Sequence, residues 1–240
     1  MSTPRKFVIL SDARSGTSLL SETLNSHPAI VCHGEIFHPT PTYHIKISQE
    51  EMAPEDLLSL RESDTQKFVE LVYNRPDAET VGFKMWRSQN PEYCDALLND
   101  ESVAKIIYER NNVLAKFSSI RLAKETGVWN IRSGASRPKE LDKKLSFNTK
   151  QFSDHVKRHR DLFDYYRKNA KGRVFSTSYL DIVGRGFSDV LEFLEVSDME
   201  LVPQKEKLHS SSILNRFQES DRDTVMKAVE ELGHPEWLHE

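Results

Sequence analysis

The sequence has only two cysteines, and it contains no apolar run long enough to cross a membrane. Cys32 and Cys94 are far apart, so the chain has neither a disulfide framework nor a cysteine-based zinc cluster. The N-terminal residues also lack the apolar region of a secretory signal peptide. These absences together predict a cytoplasmic protein with reduced thiols.

Positive charge is not in excess either. The formal net charge is −4 and the pI is about 6.2, so the chain has no global basic field for nucleic acid. Its 240 residues, 38% of them hydrophobic, are enough for a sizeable core. We therefore expect one domain over residues 1–240 that binds no nucleic acid, as a monomer or a homodimer.

Short apolar runs alternate with amphipathic stretches along the chain. The predicted strands cover residues 6–11, 29–33, 80–85, 103–109 and 173–177. The predicted helices cover residues 17–25, 65–73, 112–125, 152–169, 187–195 and 221–232. This alternation predicts an α/β fold, a three-layer sandwich with a central, mainly parallel sheet. Ligands of such folds bind in the crevice at the carboxyl ends of the strands.

Two polar stretches interrupt this pattern, near residues 34–50 and 133–148. The first includes GEIFHPTPT, and the second is SGASRPKELDKKLSFN. Loops on an α/β scaffold often carry function, so we predict that these two act as gates over a substrate site. Ordinary surface connections are the alternative.

The stretch SDARSGTSLL, residues 11–20, has the strand–loop–helix layout of a phosphate-binding loop, and we call it the phosphate loop. When Gly16, Thr17 and Ser18 are aligned with the end of a Walker motif, threonine replaces the lysine. Ser11 replaces the first glycine of that motif. Because the Walker lysine reaches the β- and γ-phosphates, this loop is poorly suited to a nucleoside triphosphate.

The remaining features of the phosphate loop still favour an anion. Glycine lets the backbone approach a ligand closely, and the free amides at the start of a helix point toward it. Arg14 adds a planar, permanent positive charge. We therefore predict a 5′-phosphate site that needs no metal ion, formed by Arg14, Ser15, Gly16, Thr17, Ser18 and Leu19. The alternative is a plain turn in which Ser15 caps the helix.

A second phosphate contact is indicated between residues 105 and 129. Arg110 follows a predicted strand there, and Ser118 lies on the helix that comes next. A strand-end arginine and a helical serine can converge above the sheet on one phosphate. Taken alone, the pair is explained better as a surface arginine and a helix-facing serine.

Three motifs, in their order and spacing, resemble the family of sulfotransferases that use 3′-phosphoadenosine 5′-phosphosulfate (PAPS). FVIL followed by RSGTSLL is similar to the family's 5′-phosphosulfate loop, and IIYERNNVLAKFS has the spacing of its 3′-phosphate pair. The third is HPAIVCHGEIF, with GFK later in the chain. The bacterial nodulation-type and trehalose-type branch is most similar, because AKETGVW follows the second motif.

The resemblance implies a P-loop-NTPase-like α/β fold and transfer of a sulfuryl group to an acceptor hydroxyl. It implies that Glu35 is the general base, while Arg14 and Lys84 stabilise the phosphate and sulfuryl oxygens. PAPS is then the donor co-substrate, and no metal ion is needed. The favoured acceptor is a carbohydrate or a glycolipid, and a small molecule is the alternative.

Histidines near the predicted base leave two further interpretations. His33 and His38 are reserve bases; as metal ligands together with Glu35 they have no fourth partner, so we predict no metal site. His155 and His159 are spaced as a helical pair, but their basic neighbours favour a solvated face.

Two other functions stay open at this point. The first is a small-molecule kinase-like protein with a degenerate P-loop, against which the missing lysine and the lack of an obvious Walker-B aspartate argue. The second is a non-catalytic nucleotide-binding module, which would bind 3′-phosphoadenosine 5′-phosphate (PAP) without turnover.

Overall fold

A computed structural model of the chain describes residues 3–39, 44–48, 50–129, 138–202 and 212–240. In these ranges five strands form one sheet in the order β2-β3-β1-β4-β5, and every pairing between neighbours is parallel. They are β1 (Arg5–Ser11), β2 (Ile30–Glu35), β3 (Thr80–Trp86), β4 (Val103–Glu109) and β5 (Val174–Ser178). The predicted α/β fold with a central parallel sheet is confirmed.

The central strand β1 is apolar on both faces. Phe7 and Ile9 belong to one buried cluster, Val8 and Leu10 belong to another, and all four are fully buried. A strand that is covered on both faces is typical of a parallel sheet between two layers of helices. The three-layer sandwich therefore follows from the continuous apolar run in β1.

Helices cover both faces of the sheet. In the described ranges they are α1 (Thr17–Leu24), α2 (Pro54–Ser63), α3 (Thr65–Tyr73), α4 (Pro91–Asn99), α5 (Val113–Thr126), α6 (Thr149–Asn169), α7 (Tyr179–Arg185), α8 (Ser188–Phe193) and α9 (Arg222–Glu231). Helices α2, α4 and α7 were not predicted, although Asn90 caps α4 and Pro91 occupies its first turn. None of the described helices is both long and apolar enough to cross a membrane.

A third apolar cluster joins α5, α6 and α9 to the last described residues. Phe152 and Trp237 are both buried in it. Asn112, the N-cap of α5, donates from Nδ2 to the carbonyl oxygens of Trp237 at 3.1 Å and of His239 at 2.8 Å. This packing holds residue 240 near the carboxyl end of β4.

The predicted gate segments fall partly outside the described residues, because 40–43, 49 and 130–137 are not described. Gly34 and Glu35 were predicted as loop residues, but the structure places both at the end of β2. In the second segment, Leu145 exchanges backbone hydrogen bonds of 2.9 Å with Arg216 and Gln218. The role of both segments as gates stays a prediction.

The order of the strands creates a crevice at the carboxyl ends of β1 and β4. The chain leaves β1 toward β2 on one side of the sheet, and it leaves β4 toward β5 on the other side. Such a switch of direction between neighbouring strands is where α/β proteins bind ligands. Residues 12–16 and Arg110 extend from these two strand ends.

Candidate functional site

Gly16 shapes the phosphate loop. It is the N-cap of α1 and has a φ of 85°, in the left-handed region. A Cβ at this position would lie 2.7 Å from the Tyr179 ring. The loop therefore needs glycine for its backbone conformation and for the close approach of Tyr179. Ser15 does not cap α1, because the helix has no side-chain cap bond.

The first turn of α1 uses one of the four amides that were predicted to bind an anion. The Leu19 amide donates to the Gly16 carbonyl oxygen at 2.9 Å, so its N–H is already bonded within the helix. This corrects the prediction for Leu19. The amides of Gly16, Thr17 and Ser18 precede that bond and are the donors that the loop offers.

Two buried hydroxyl groups at the phosphate loop have no hydrogen-bond partner within the described part of the chain. They are Ser15 Oγ and Tyr108 Oη. The Tyr108 hydroxyl lies 3.5 Å from the Cβ position at Gly16, so it reaches the loop itself. Buried polar groups are normally paired, and these two hydroxyls therefore suit a polar ligand held by the loop.

Arg14 extends toward α5. Its φ is 60°, a left-handed conformation that is uncommon for a residue with a side chain. Nε donates to Ser119 Oγ at 2.9 Å, and Nη1 donates to the carbonyl oxygen of Trp129. Burial and the neighbouring charge of Arg110 lower the pKa of Arg14 to about 10. Arg110 Nη1 also donates to the Arg14 carbonyl oxygen at 3.0 Å, so the two arginines are neighbours.

Arg110 holds a carboxylate of the same chain. Its Nε donates to Glu240 Oε1 at 2.7 Å, and its Nη2 donates to Glu240 Oε2. The two side chains are only 11% and 1% exposed. Arginine binds phosphate groups through the same bidentate geometry, so Arg110 is oriented here as it would be for an anion.

Arg216 completes this cluster, and sequence reasoning missed it. Its Nη1 donates to Ser118 Oγ at 3.0 Å and to the Ala115 carbonyl oxygen at 3.2 Å. Burial, followed by the positive charge of Arg110, lowers the pKa of Arg216 to about 10, and Glu240 opposes that shift. Ser118 thus contacts Arg216, whereas the two-point contact of Arg110 is with Glu240. We call Arg110, Ser118 and Arg216 the arginine site.

A cavity of about 840 Å³ lies beside Leu19, at the end of the phosphate loop, and beside Glu240, the partner of Arg110. Its lining includes Leu19 of the phosphate loop, Tyr179 of α7 and Glu240. The Tyr179 ring lies 5.1 Å from the Arg110 guanidinium. This volume falls within the range of small-molecule binding sites, and most of the lining residues are apolar.

The predicted catalytic side chains meet at the ends of β2 and β3. Lys84 Nζ lies 3.0 Å from Ser18 Oγ and 3.3 Å from Glu35 Oε1. Lys84 and Glu35 are 4% and 8% exposed, so their charges are largely removed from water. One lysine therefore connects the phosphate loop to the carboxylate that was predicted to act as the base.

A β-bulge at Gly34 produces this contact. Strands β2 and β3 pair regularly up to His33, and the next pair joins Glu35 to Lys84. The shift leaves Gly34 out of the pairing and turns the Glu35 side chain toward Lys84. The Gly34 amide instead donates to the His44 carbonyl oxygen at 2.6 Å, and a Cβ there would lie 2.9 Å from the His44 ring.

The two reserve bases have other contacts. The His33 Nε2 atom lies 3.0 Å from the Val72 carbonyl oxygen, and Nδ1 accepts from the Lys46 amide at 2.8 Å. Burial lowers the pKa of His33 to about 3, so the ring stays neutral. Its two nitrogens are thus used by the fold. The His38 ring packs against His44, with 5.1 Å between ring centroids.

His159 is buried, which contradicts the predicted solvated face. Its Nδ1 lies 3.0 Å from Lys116 Nζ and its Nε2 lies 2.9 Å from Glu109 Oε1, while Lys116 also contacts Asp12. These side chains form a charge network next to the phosphate loop. In the ranges that the structure describes, no group of three or more His, Cys, Asp or Glu side chains is arranged to hold a metal ion.

Known proteins similar to this chain are sulfotransferases and a nodulation protein, although no family model matches. Nodulation protein H of Rhizobium tropici is 32% identical over 174 residues, and the match covers 67% of this chain but only 65% of that protein. The solved sulfotransferase domain from the curacin biosynthetic pathway has a TM-score of 0.50 and 16% identity, with 98% of this chain and 99% of that chain covered. Mouse sulfotransferase SULT7A1 complexed with PAP has a TM-score of 0.48 and 12% identity, covering 96% and 84%.

The curacin-pathway domain shares the fold, which is the P-loop-NTPase-like α/β sandwich described above. Nodulation protein H shares sequence over two thirds of this chain. The fold therefore agrees with the one that the motif resemblance implied, and the sequence agrees with its nodulation-type branch.

Proposed function

We propose that the protein transfers a sulfuryl group from PAPS to an acceptor hydroxyl. The observation that carries this proposal is the line of contacts from Ser18 through Lys84 to Glu35, at 3.0 Å and 3.3 Å. It joins an anion-binding loop to a buried carboxylate through a single cation. Sulfuryl transfer needs such an arrangement, because the donor must be held, charge must be stabilised and the acceptor must lose a proton.

The two anion sites suit the two ends of a 3′-phosphorylated nucleotide. In this proposal the amides of Gly16, Thr17 and Ser18 bind the 5′-phosphosulfate, while the arginine site binds the 3′-phosphate. The Glu240 carboxylate on Arg110 supports the second assignment, since that site already accepts an anion. The cavity of about 840 Å³ has room for the nucleoside.

Glu35 accepts the proton of the acceptor hydroxyl while the acceptor oxygen forms its bond to sulfur. PAPS supplies the sulfuryl group, and the bond from sulfur to the bridging phosphate oxygen breaks as PAP departs. Lys84 lies between Glu35 and Ser18, so its charge stabilises the sulfuryl oxygens and the bridging oxygen. These side chains and the loop amides balance the developing charge without a metal ion.

The favoured acceptor is a carbohydrate or a glycolipid, in keeping with the nodulation-type branch that the sequence resembles. The segments near 34–50 and 133–148 are its proposed gates. Within the first of these, the Lys46 amide and the His44 carbonyl oxygen are bonded to the end of β2, next to Glu35. In this proposal the protein acts in the cytoplasm, as a monomer or a homodimer.

Calorimetric titration tests the choice of nucleotide. PAP, AMP and ATP are each titrated without and with Mg²⁺. We expect PAP to bind tightly without Mg²⁺, and AMP to bind more weakly because it lacks the 3′-phosphate. Equal affinity for PAP and AMP would contradict the proposal, and Mg²⁺-dependent preference for ATP would favour a kinase-like protein. Tight PAP binding without transfer to any sugar or glycolipid acceptor would favour a non-catalytic module.

A further inference from the structure

Gln89 links the end of β3 to the carboxylate of Glu35. It is the last residue of a short 3₁₀ turn, Arg87–Gln89, that follows β3. Its Oε1 atom accepts from the Trp86 amide at 3.0 Å, and its Nε2 atom donates to Glu35 Oε2 at 3.1 Å. The side-chain amide is thus anchored at one end to the backbone and bonded at the other end to the proposed base.

Glu35 is held at both of its oxygens. Lys84 contacts Oε1 at 3.3 Å, and Gln89 donates to Oε2 at 3.1 Å. Two contacts on different oxygens restrict rotation of the carboxylate plane, while an ionised carboxylate still has lone pairs free for an incoming proton. Lys84 also contacts the phosphate loop, whereas Gln89 contacts Glu35 and the turn that carries Gln89.

We propose that Gln89 is a positioning residue that orients Glu35 toward the acceptor hydroxyl. This inference rests on the proposed function of Glu35 as the base. Its physical basis is that a small misplacement of a reacting group costs a large part of the rate. Removal of the Gln89 donor leaves Glu35 with Lys84 as its contact on one oxygen, so the carboxylate rotates toward the cation and away from the acceptor.

Gln89→Glu is the most informative variant, because it can keep the contact with the Trp86 amide while it removes the donor to Glu35. A glutamate keeps an acceptor for the Trp86 amide and so preserves the turn, but it replaces the donor to Glu35 with a second negative charge. We expect kcat for sulfuryl transfer to fall about tenfold to a hundredfold with PAP affinity unchanged. The contact between two carboxylates should also lower the thermal midpoint. Gln89→Met removes both side-chain contacts without adding charge, and its kcat should fall as well.

Gln66→Glu is the matched control. Gln66 donates from Nε2 to Glu70 Oε1 at 2.9 Å on the exposed surface of α3, so the chemical change is identical but remote from the site. Its transfer rate should equal that of the unaltered protein. In a Glu35→Gln background, Gln89→Glu should cause no further loss, because the residue whose position it controls is no longer a base.

The outcomes separate this inference from the proposed function. Unchanged kcat in both Gln89 variants, or full additivity with Glu35→Gln, would overturn the positioning role alone. Full transfer by Glu35→Gln would overturn the base assignment and the role of Gln89 with it. A loss of PAP affinity in Gln89→Glu equal to its loss of rate would also overturn the inference, since it would indicate general damage to the site.

Discussion

The phosphate loop and the arginine site are the two proposed anion sites, but they are built in opposite ways. The loop uses consecutive backbone amides at the start of α1, around a glycine whose φ is 85°. The arginine site uses side chains from distant segments: Arg216 and Ser118 are 98 positions apart, and Arg110 is 130 positions from its partner Glu240. Backbone donors carry no net charge, whereas buried guanidinium groups repel one another. The arginine site therefore needs an anion more strongly, and Glu240 supplies one.

The largest expected effect comes from Gly16→Ala, which breaks the loop and spares the arginine site. The new methyl group would lie 2.7 Å from the Tyr179 ring, and alanine is strained at this φ. We expect PAP affinity to fall about a hundredfold or more by calorimetry. Gly127→Ala is the control, since Gly127 has a φ of 73° but nothing within 4 Å of its Cβ position. It should cost about 1 kcal/mol of stability and leave PAP affinity unchanged.

Arg110→Lys breaks the arginine site and spares the loop. Lysine keeps the positive charge but cannot make the bidentate contact. PAP affinity should fall about tenfold to a hundredfold while AMP affinity changes little, as measured by the same titrations. Arg75→Lys is matched, because Arg75 makes a similar two-point contact with Glu51 at 2.7 Å and 3.0 Å. An equal loss for AMP would show that Arg110 does not recognise the 3′-phosphate.

Mild acid should lower the stability of the fold that carries both sites, because His33 is buried in its neutral form. Burial, aided by the charge of Arg75, lowers the pKa of His33 from 6.5 to about 3. Below pH 6.5 the unfolded chain therefore binds a proton that the folded chain does not, and stability falls until about pH 3. His33→Gln should remove about 1.5 kcal/mol of the loss between pH 6.5 and about pH 5, as measured by denaturant unfolding. An unchanged pH dependence would contradict the buried neutral state.

Glu240→Gln gives the smallest expected effect, and it tests whether the Glu240 carboxylate competes with PAP for Arg110. It removes the carboxylate that competes for Arg110, so PAP affinity should rise about threefold to tenfold while AMP affinity stays the same. Glu236→Gln is the control, since Glu236 is exposed and pairs with His234. Weaker PAP binding in Glu240→Gln would mean that this carboxylate supports the geometry of Arg110.

Local features of the site were readable from the sequence. The phosphate loop lies within ten consecutive residues, and its strand, glycine and helix are each recognisable there. Arg110 was found for the same reason, because it directly follows β4. The failure at Leu19 was also local, since a tightened first turn consumed its amide. Helices α2 and α7 were missed because short helices with few buried residues leave a weak periodic pattern.

Other parts of the site could not be predicted from the sequence alone. Arg216 lies in no predicted element, and it reaches Ser118 only because a third apolar cluster packs its segment against α5. Gln89 is unremarkable in the sequence and becomes interesting through its 3.1 Å contact with Glu35. The burial of His159 was not predicted either, because its basic neighbours in the sequence indicated a solvated face.

The sequence by itself determined the apolar strands, the glycine at the start of α1 and the arginine, serine and threonine beside that glycine. These follow from local propensity and spacing, which act over a few residues. Only the tertiary structure decided that Glu35 lies opposite Lys84, because that pairing depends on the bulge at Gly34. It also decided that Arg110 meets Glu240 and that Arg216 meets Ser118, because packing energy from distant segments, and no local pattern, brings these side chains together.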